Sequence, residues 1–289
     1  MKKFIKITTL VLASVLLSAC FKRDTMENIS VNVTVYPIEY ITNLLYGESG
    51  TIQSIYPDGI KISDYQLTDK QIQSFSKDRL FIFIGITDEK NYAVDMLNKN
   101  KNLLIIDASQ GMSIDYGVEE IWLDPSNFLM LAQNIRTGFK EYLTDPYLKL
   151  EIDKNYDALK LAVSEIDAEL KLVADSSSNT TIVVGNKLFK FLEKYNFNVI
   201  SLDEESDVTD KTIANVKQLI NEGKIKYIFL KDDEEPNNIV DSLLAENKSI
   251  QILSLNSISN ITTKDRSDKK NYITIMRENI DQLKKEVLK

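Results

Sequence analysis

The side chains available for chemistry in this chain are carboxylates, hydroxyls and amides, because its 289 residues include no histidine and a single cysteine. Without histidine, neither a serine–histidine–aspartate triad nor a cysteine–histidine pair can form. The nine glycines make no phosphate-binding loop of useful spacing. No pair of carboxylates stands out for acid–base work. We therefore expect a binding protein and not an enzyme.

An acidic run follows one predicted strand in the second half of the chain and comprises Asp232, Asp233, Glu234 and Glu235. Open α/β sheets bind ligands at the carboxyl ends of their strands. Oxygen ligands suit calcium, magnesium and manganese, whereas zinc prefers nitrogen and sulfur. The alternative is a solvated loop that caps a helix beginning near Pro236, where acidic side chains favour the helix dipole.

The N-terminus is typical of an exported lipoprotein. Lys2, Lys3 and Lys6 precede an apolar stretch over residues 7–18 that is too short to span a bilayer, and Ser18-Ala19 leads into Cys20. The pattern predicts a signal peptide over residues 1–19 and a lipidated Cys20 with a polar tether over 20–29. Acyl chains would anchor the protein at the extracytoplasmic face of the cell membrane. The alternative is an ordinary cleaved signal with a chance cysteine.

The composition is that of a globular protein, with 43% hydrophobic and 27% charged residues. A net charge of -8 argues against nucleic acid as a partner. The acidity mildly favours cationic ligands, although solubility alone also accounts for it. One cysteine allows no intramolecular disulfide, so the core alone must stabilise the fold. The length suffices for two domains, and we expect a monomer.

Short apolar runs alternate with helical stretches and predict an α/β fold with parallel sheets. Predicted strands cover residues 31–36, 51–56, 80–84, 103–106, 180–184, 198–202, 226–230 and 250–255. An apolar stripe over residues 147–174 predicts one long helix. The expected architecture is two Rossmann-like lobes, residues 30–145 and 176–289, joined by a connecting helix over 146–175. Segment 259–269 is polar and is predicted to be a surface loop.

Several motifs, in order along the chain, resemble the zinc- and manganese-binding substrate-binding lipoproteins of ABC importers. They are VTVYPIEYIT at 33–42, YPDGIKISDYQLTDKQI at 56–72, IWLDPSN at 121–127, LFKFLEKYNFNVI at 188–200 and NYITIMRENIDQLKKEVL at 271–288. The resemblance implies two lobes, a metal held in the cleft between them, and an ABC importer permease as partner.

The same resemblance implies a ligand set in which every usual histidine is replaced. The four ligand positions fall on Ser63, Glu120, Asn186 and Asn256, with Ser259 as an alternative to the last. Further cleft residues implied are Asp64, Tyr36, Tyr65 and Asp232, and nearby acids that add charge are Asp58, Asp115 and Glu119. Such a set would hold one divalent ion, Mn, Zn, Mg or Ca, although zinc only weakly.

Three functions stay open at this point. The first is a membrane-anchored, extracytoplasmic receptor of the metal-uptake type with an altered, histidine-free cleft. The second is the same scaffold bound to an organic solute, for which Ser63, Asn186 and Asn256 would supply hydrogen bonds. The third is a surface adhesin or interaction protein with a non-functional metal site. Trp122 is expected to pack in the interior rather than to stack on a ligand.

Overall fold

The computed structural model of the protein describes residues 28–204 and 208–288. The predicted signal peptide, Cys20 and most of the tether lie outside the described residues. Within those two ranges the strands form two four-stranded parallel sheets, one in each half of the chain. The α/β class and the two-lobe arrangement predicted from the apolar runs are confirmed.

The first lobe is built on a sheet of strand order β2-β1-β3-β4. Short apolar strands such as Leu80–Phe83 are buried along their whole length because helices cover both faces of the sheet. The elements in chain order are β1 (Ile29–Val33), α1 (Tyr36–Tyr46), β2 (Gly50–Ser54), α2 (Asp69–Phe75), β3 (Leu80–Phe83), α3 (Glu89–Lys99), β4 (Leu104–Asp107), α4 (Glu120–Leu123) and α5 (Pro125–Tyr142), with single 3₁₀ turns at Gly47–Ser49 and Ile62–Asp64.

One long helix, α6 (Pro146–Asp175), connects the lobes. It begins where the sequence indicates, because the Asp145 carboxylate accepts hydrogen bonds from the amides of Tyr147 and Leu148 and a proline occupies the first turn. Its apolar stripe is buried against both halves of the molecule. Among residues 28–204 and 208–288, every helix falls short of the length or apolarity that a bilayer crossing requires.

The second lobe repeats the plan with a sheet of order β6-β5-β7-β8. Its elements are β5 (Thr181–Val184), a 3₁₀ segment at Lys187–Tyr195, β6 (Asn198–Ser201), α7 (Asp210–Asn221), β7 (Tyr227–Lys231), α8 (Asn238–Glu246), β8 (Gln251–Leu255), α9 (Thr263–Ser267) and α10 (Tyr272–Val287). The acidic run 232–235 follows β7 directly, so this part of the sequence prediction places it correctly at a carboxyl end.

The prediction of a surface loop over 259–269 was wrong in part. Thr262 and Asp265 form a capping box, and this starts the short helix α9 within an otherwise polar run. The sequence pattern did not predict this helix because α9 has no buried apolar residue of its own. The buried residues of the segment, Ile258 and Ile261, precede the helix.

The segment 257–266, which we call the return segment, joins the second lobe to the first. The amide of Tyr36 donates to the Ser259 carbonyl at 3.0 Å, and the amide of Gly59 donates to the Ile261 carbonyl at 2.9 Å. The Asn260 side-chain amide donates to the carbonyls of Pro57 and Ile60.

Ion pairs reinforce the same contact, because the Arg266 guanidinium lies 2.7 Å from Glu39 and 2.8 Å from Asp58. The two lobes are therefore fastened together on one side by many short contacts.

Candidate functional site

A cavity of about 410 Å³ lies between the two lobes. Its walls come from segments that follow strands: Val35 after β1, Tyr56 after β2, Ile84 after β3, and Lys231 at the end of β7. The carboxyl ends of parallel strands are where open α/β sheets bind ligands. The location therefore identifies this cavity, here called the cleft, as the candidate functional site.

Three tyrosines form one wall of the cleft. The rings of Tyr56 and Tyr65 meet edge to face with centroids 6.0 Å apart. The Tyr65 hydroxyl accepts a hydrogen bond from Gln71 at 2.7 Å, and the Tyr92 hydroxyl accepts one from the Leu67 amide at 3.3 Å. These contacts hold the rings in place before any ligand arrives, and they present aromatic surface to it.

Glu89 is a buried acid at the base of the cleft, in the first turn of α3. Burial raises the pKa of its carboxyl to about 7, and hydrogen bonds from the Ile84 amide and the Tyr56 hydroxyl offset only part of that rise. The Tyr56 pKa is raised as well, chiefly by burial and then by Glu89. Glu89 therefore changes charge near neutral pH.

Lys231 places an ammonium group between the lobes. Its Nζ lies 3.0 Å from an oxygen of Glu119 in the first lobe and 3.1 Å from an oxygen of Asp233 in the second. Burial lowers the Lys231 pKa, but the two carboxylates outweigh it and the pKa is raised overall. The lysine is therefore charged and bridges the cleft.

Of the four predicted ligand positions, the structure brings only Ser63 to the wall of the cleft; Ser259, the predicted alternative to Asn256, also lines it. The Ser63 hydroxyl is exposed and donates to the Asp64 carboxylate at 2.9 Å. Tyr65, one of the additional residues that the resemblance implies, also lines the cleft. Asp64 is exposed beside Ser63.

Glu120, the second predicted ligand, holds the loop before α4 instead of lining the cleft. Its carboxylate is buried and accepts hydrogen bonds from the amides of Asp115, Tyr116 and Gly117 at 2.6–3.3 Å. Three charge-assisted bonds occupy both oxygens, so the side chain fastens the loop before α4 and does not line the cleft. The adjacent Glu119 is the acid that reaches the cleft.

The remaining predicted residues make contacts within the protein that stabilise its structure. Asn186 caps the 3₁₀ segment by accepting from the Leu188 amide, and the Asn256 side chain accepts from the Ile258 amide at 2.7 Å. Asp232 accepts from the Ser257 amide, and burial raises its pKa. Tyr36 is buried beneath the Arg266 guanidinium. A ligand role for these positions stays a prediction without support from their placement.

We expect Glu120→Gln to lower the free energy of unfolding by about 2–3 kcal/mol, because one accepting oxygen is replaced by a donor that faces backbone amides. Urea denaturation followed by circular dichroism measures the loss. Glu119→Gln is the matched control, since Glu119 is the adjacent acid and makes a partly exposed ion pair. Equal losses in the two variants would contradict the assignment of Glu120 to the loop.

The cleft does not present a ready-made site for a bare metal ion. Among residues 28–204 and 208–288, no group of three or more histidine, cysteine, aspartate or glutamate side chains is arranged to hold one. The two carboxylates that meet across the lobes, Glu119 and Asp233, both pair with the Lys231 ammonium. The donor set therefore does not fit the ligand arrangement that the sequence resemblance implies.

Lys61, Asp88, Glu89 and Lys231 line the cleft and were not among the site residues predicted from the sequence. Lys231 is the last residue of β7 and immediately precedes the acidic run. The prediction for this strand end considered only the four acidic residues and not the lysine before them. Glu89 follows β3 at the start of α3, the same kind of strand-end position. The strand-end rule, applied to every charged residue, would have selected both. Trp122 is buried, as expected, although one edge reaches the cleft.

Comparison with known proteins gives consistent matches over nearly the whole described chain. The model of a family described as zinc-uptake complex component A, periplasmic (ZnuA), matches residues 31–286. The zinc-binding protein AdcA of Streptococcus pyogenes serotype M3 is 20% identical over 292 residues, which cover 89% of this chain and 55% of AdcA. The chain thus spans about half the length of that relative.

Two matches from Bacillus subtilis cover more of their own length. The high-affinity zinc uptake system protein ZnuA is 20% identical over 288 residues, covering 91% of this chain and 88% of the relative. The crystal structure of the metal-dependent lipoprotein YcdH superposes with a TM-score of 0.74 at 20% identity, covering 91% of this chain and all of YcdH. At this identity the structural match establishes a shared fold.

Proposed function

Since this chain belongs to the zinc-uptake complex component A (ZnuA) family, we propose that it is the solute-binding component of an ABC importer of the metal-uptake type, with an altered, histidine-free cleft. Relatives named as zinc-binding or zinc-uptake proteins support the class of cargo. A relative named as a zinc-binding lipoprotein supports anchoring at the extracytoplasmic membrane face through Cys20.

The single observation that carries this proposal is the position of the cleft. One cavity, walled by strand ends from both lobes, lies between two α/β halves that a long helix connects. Such a cleft encloses a solute and presents both lobes to a partner. We propose binding without chemical conversion of the cargo, with an importer permease as the partner that receives it.

Deleting the gene is expected to lower the cellular content of zinc or manganese during growth in metal-depleted medium, and the wild-type gene should restore it. Elemental analysis of washed cells is the measurement. Ser63→Trp is expected to fail in restoration, because an indole at this exposed position obstructs the cleft.

Ser164→Trp is the matched control, since Ser164 is an exposed serine on α6 outside the cleft lining. It should restore metal content as well as the wild-type gene does. Unchanged metal content in the deletion strain, with zinc and manganese both limiting, would refute the proposed function.

A further inference from the structure

The point in the cleft where the lobes face each other holds a cation that belongs to the chain itself. The Lys231 ammonium contacts Glu119 from one lobe and Asp233 from the other at 3.0 and 3.1 Å. A bare divalent ion at this point would need both carboxylates and would meet the ammonium at close range. Like charges so close repel strongly in a partly buried site. Lys231 therefore opposes a bare divalent ion there.

The cleft is large enough to hold a small molecule as well as an ion. A cavity of about 410 Å³ falls in the size range of small-molecule sites. A metal ion bound directly by protein needs several ligand atoms within about 2.0–2.6 Å, and among residues 28–204 and 208–288 no three acidic, histidine or cysteine side chains are grouped to supply them. The tyrosine wall offers apolar and aromatic surface, which suits an organic body more than a hydrated ion.

A second cation is available at the mouth of the cleft. Lys61 lines the cavity and is exposed, and it makes no ion pair with any residue in the described part of the chain. Ser63, Thr87 and Ser259 also line the cavity, and so does the exposed acid Asp88. An ammonium that makes no ion pair within the protein can bind a carboxylate of a ligand.

We propose that Lys231 determines specificity by excluding bare divalent ions, and that the cleft accepts its metal as a complex with a small, carboxylate-bearing chelator. This inference rests on the proposed function, because it takes metal as the cargo. The chelator supplies the donor atoms that the protein lacks. Lys61 pairs with a carboxylate of the complex, and the tyrosine wall contacts its organic body.

The test compares bare ions with their complexes on the full-length protein purified in mild detergent. Zn²⁺ and Mn²⁺ are each supplied in non-coordinating buffer, or with citrate, or with histidine. Binding is followed by titration calorimetry, and retained metal is measured by elemental analysis after gel filtration. Metal-free citrate and histidine are titrated in parallel. Lys61→Gln, Lys231→Gln and Lys231→Glu are measured alongside the wild-type protein.

Matched controls are Lys284→Gln and Lys284→Glu. The Lys284 ammonium also lies between two carboxylates, 2.8 Å from Glu169 and 2.8 Å from Asp281, but it is remote from the cleft lining. Neither control should change any binding measurement, which separates an effect within the cleft from a general effect of charge.

We expect the wild-type protein to retain metal only with a chelator. Lys61→Gln should weaken that binding about tenfold, because it removes the proposed charged partner of the complex. Lys231→Gln should allow some retention of bare Mn²⁺, because it removes the repelling ammonium. Lys231→Glu should gain binding of bare Mn²⁺, because the introduced carboxylate joins Glu119 and Asp233. Micromolar binding of bare zinc or manganese by the wild-type protein, competed away by chelator, would overturn the inference and leave the proposed function intact. Equal binding of metal-free chelator would overturn both.

Discussion

Replacing Trp122 with alanine is expected to lower the free energy of unfolding by about 3–5 kcal/mol. The indole is buried at the junction of the lobes, and its N–H donates to the Ser257 carbonyl at 2.8 Å. The Trp122 carbonyl accepts from the Tyr272 hydroxyl, and the Tyr272 ring stacks on Phe128. Truncation therefore leaves a cavity and breaks a buried hydrogen bond between the two halves.

Circular dichroism in a urea titration is the appropriate measurement, because Trp122 is the only tryptophan and the variant loses its fluorescence signal. Trp122→Phe serves as the control that keeps most of the volume and removes the N–H donor. It should cost about 1–3 kcal/mol through the unpaired Ser257 carbonyl. If alanine and phenylalanine cost the same, cavity formation is not the main term and the expectation fails.

The second large effect is a pH dependence that originates in Glu89. Its pKa is raised to about 7, whereas a glutamate in the unfolded chain titrates near 4.5. Between these values the folded state holds a proton that the unfolded state has released. Stability therefore falls as pH rises from about 4.5 to 7, by about 3 kcal/mol from this group alone. Glu89→Gln should remove that loss.

The measurement is urea denaturation of wild type and Glu89→Gln at pH 5 and pH 8. The two proteins should be similar at pH 5, and the variant should be more stable at pH 8, since it has no carboxylate to bury as an anion. Glu246→Gln is the control, because Glu246 is half exposed and pairs with Lys217 on the surface. A variant that is less stable than wild type at pH 8 would show that the Glu89 charge is needed in the folded state.

The fold was accessible from the sequence because its determinants are local. Aspartate followed by proline marks the starts of both α5 and α6, where Asp124 and Asp145 cap the first turns. Continuous apolar runs mark strands that are buried on both faces, such as Leu80–Phe83. Each signal involves residues within a few positions of one another, so a pattern along the chain is enough to identify it.

The cleft was less accessible because its contacts join distant positions. Lys231 and Glu119 are 112 positions apart, and no local pattern predicts that they meet. Glu120 shows the opposite error. It lies next to Glu119 in a motif that resembles a ligand segment, yet its oxygens bind amides within five positions. Glu119 and Glu120 are adjacent at the start of α4, yet Glu119 lines the cleft and Glu120 binds the amides of the preceding loop.

The return segment also has a consequence for the order in which the protein is made. The carbonyls of Pro57 and Ile60 cannot form these hydrogen bonds until Asn260 has been synthesised, 203 and 200 positions later in the chain. At typical synthesis rates of about 5–20 residues per second, that delay is about 10–40 seconds. In the later part of this interval, after α5 has been synthesised, the first lobe is complete but lacks these partners. A stop codon shortly before residue 257 would therefore harm the half of the protein that has already been made.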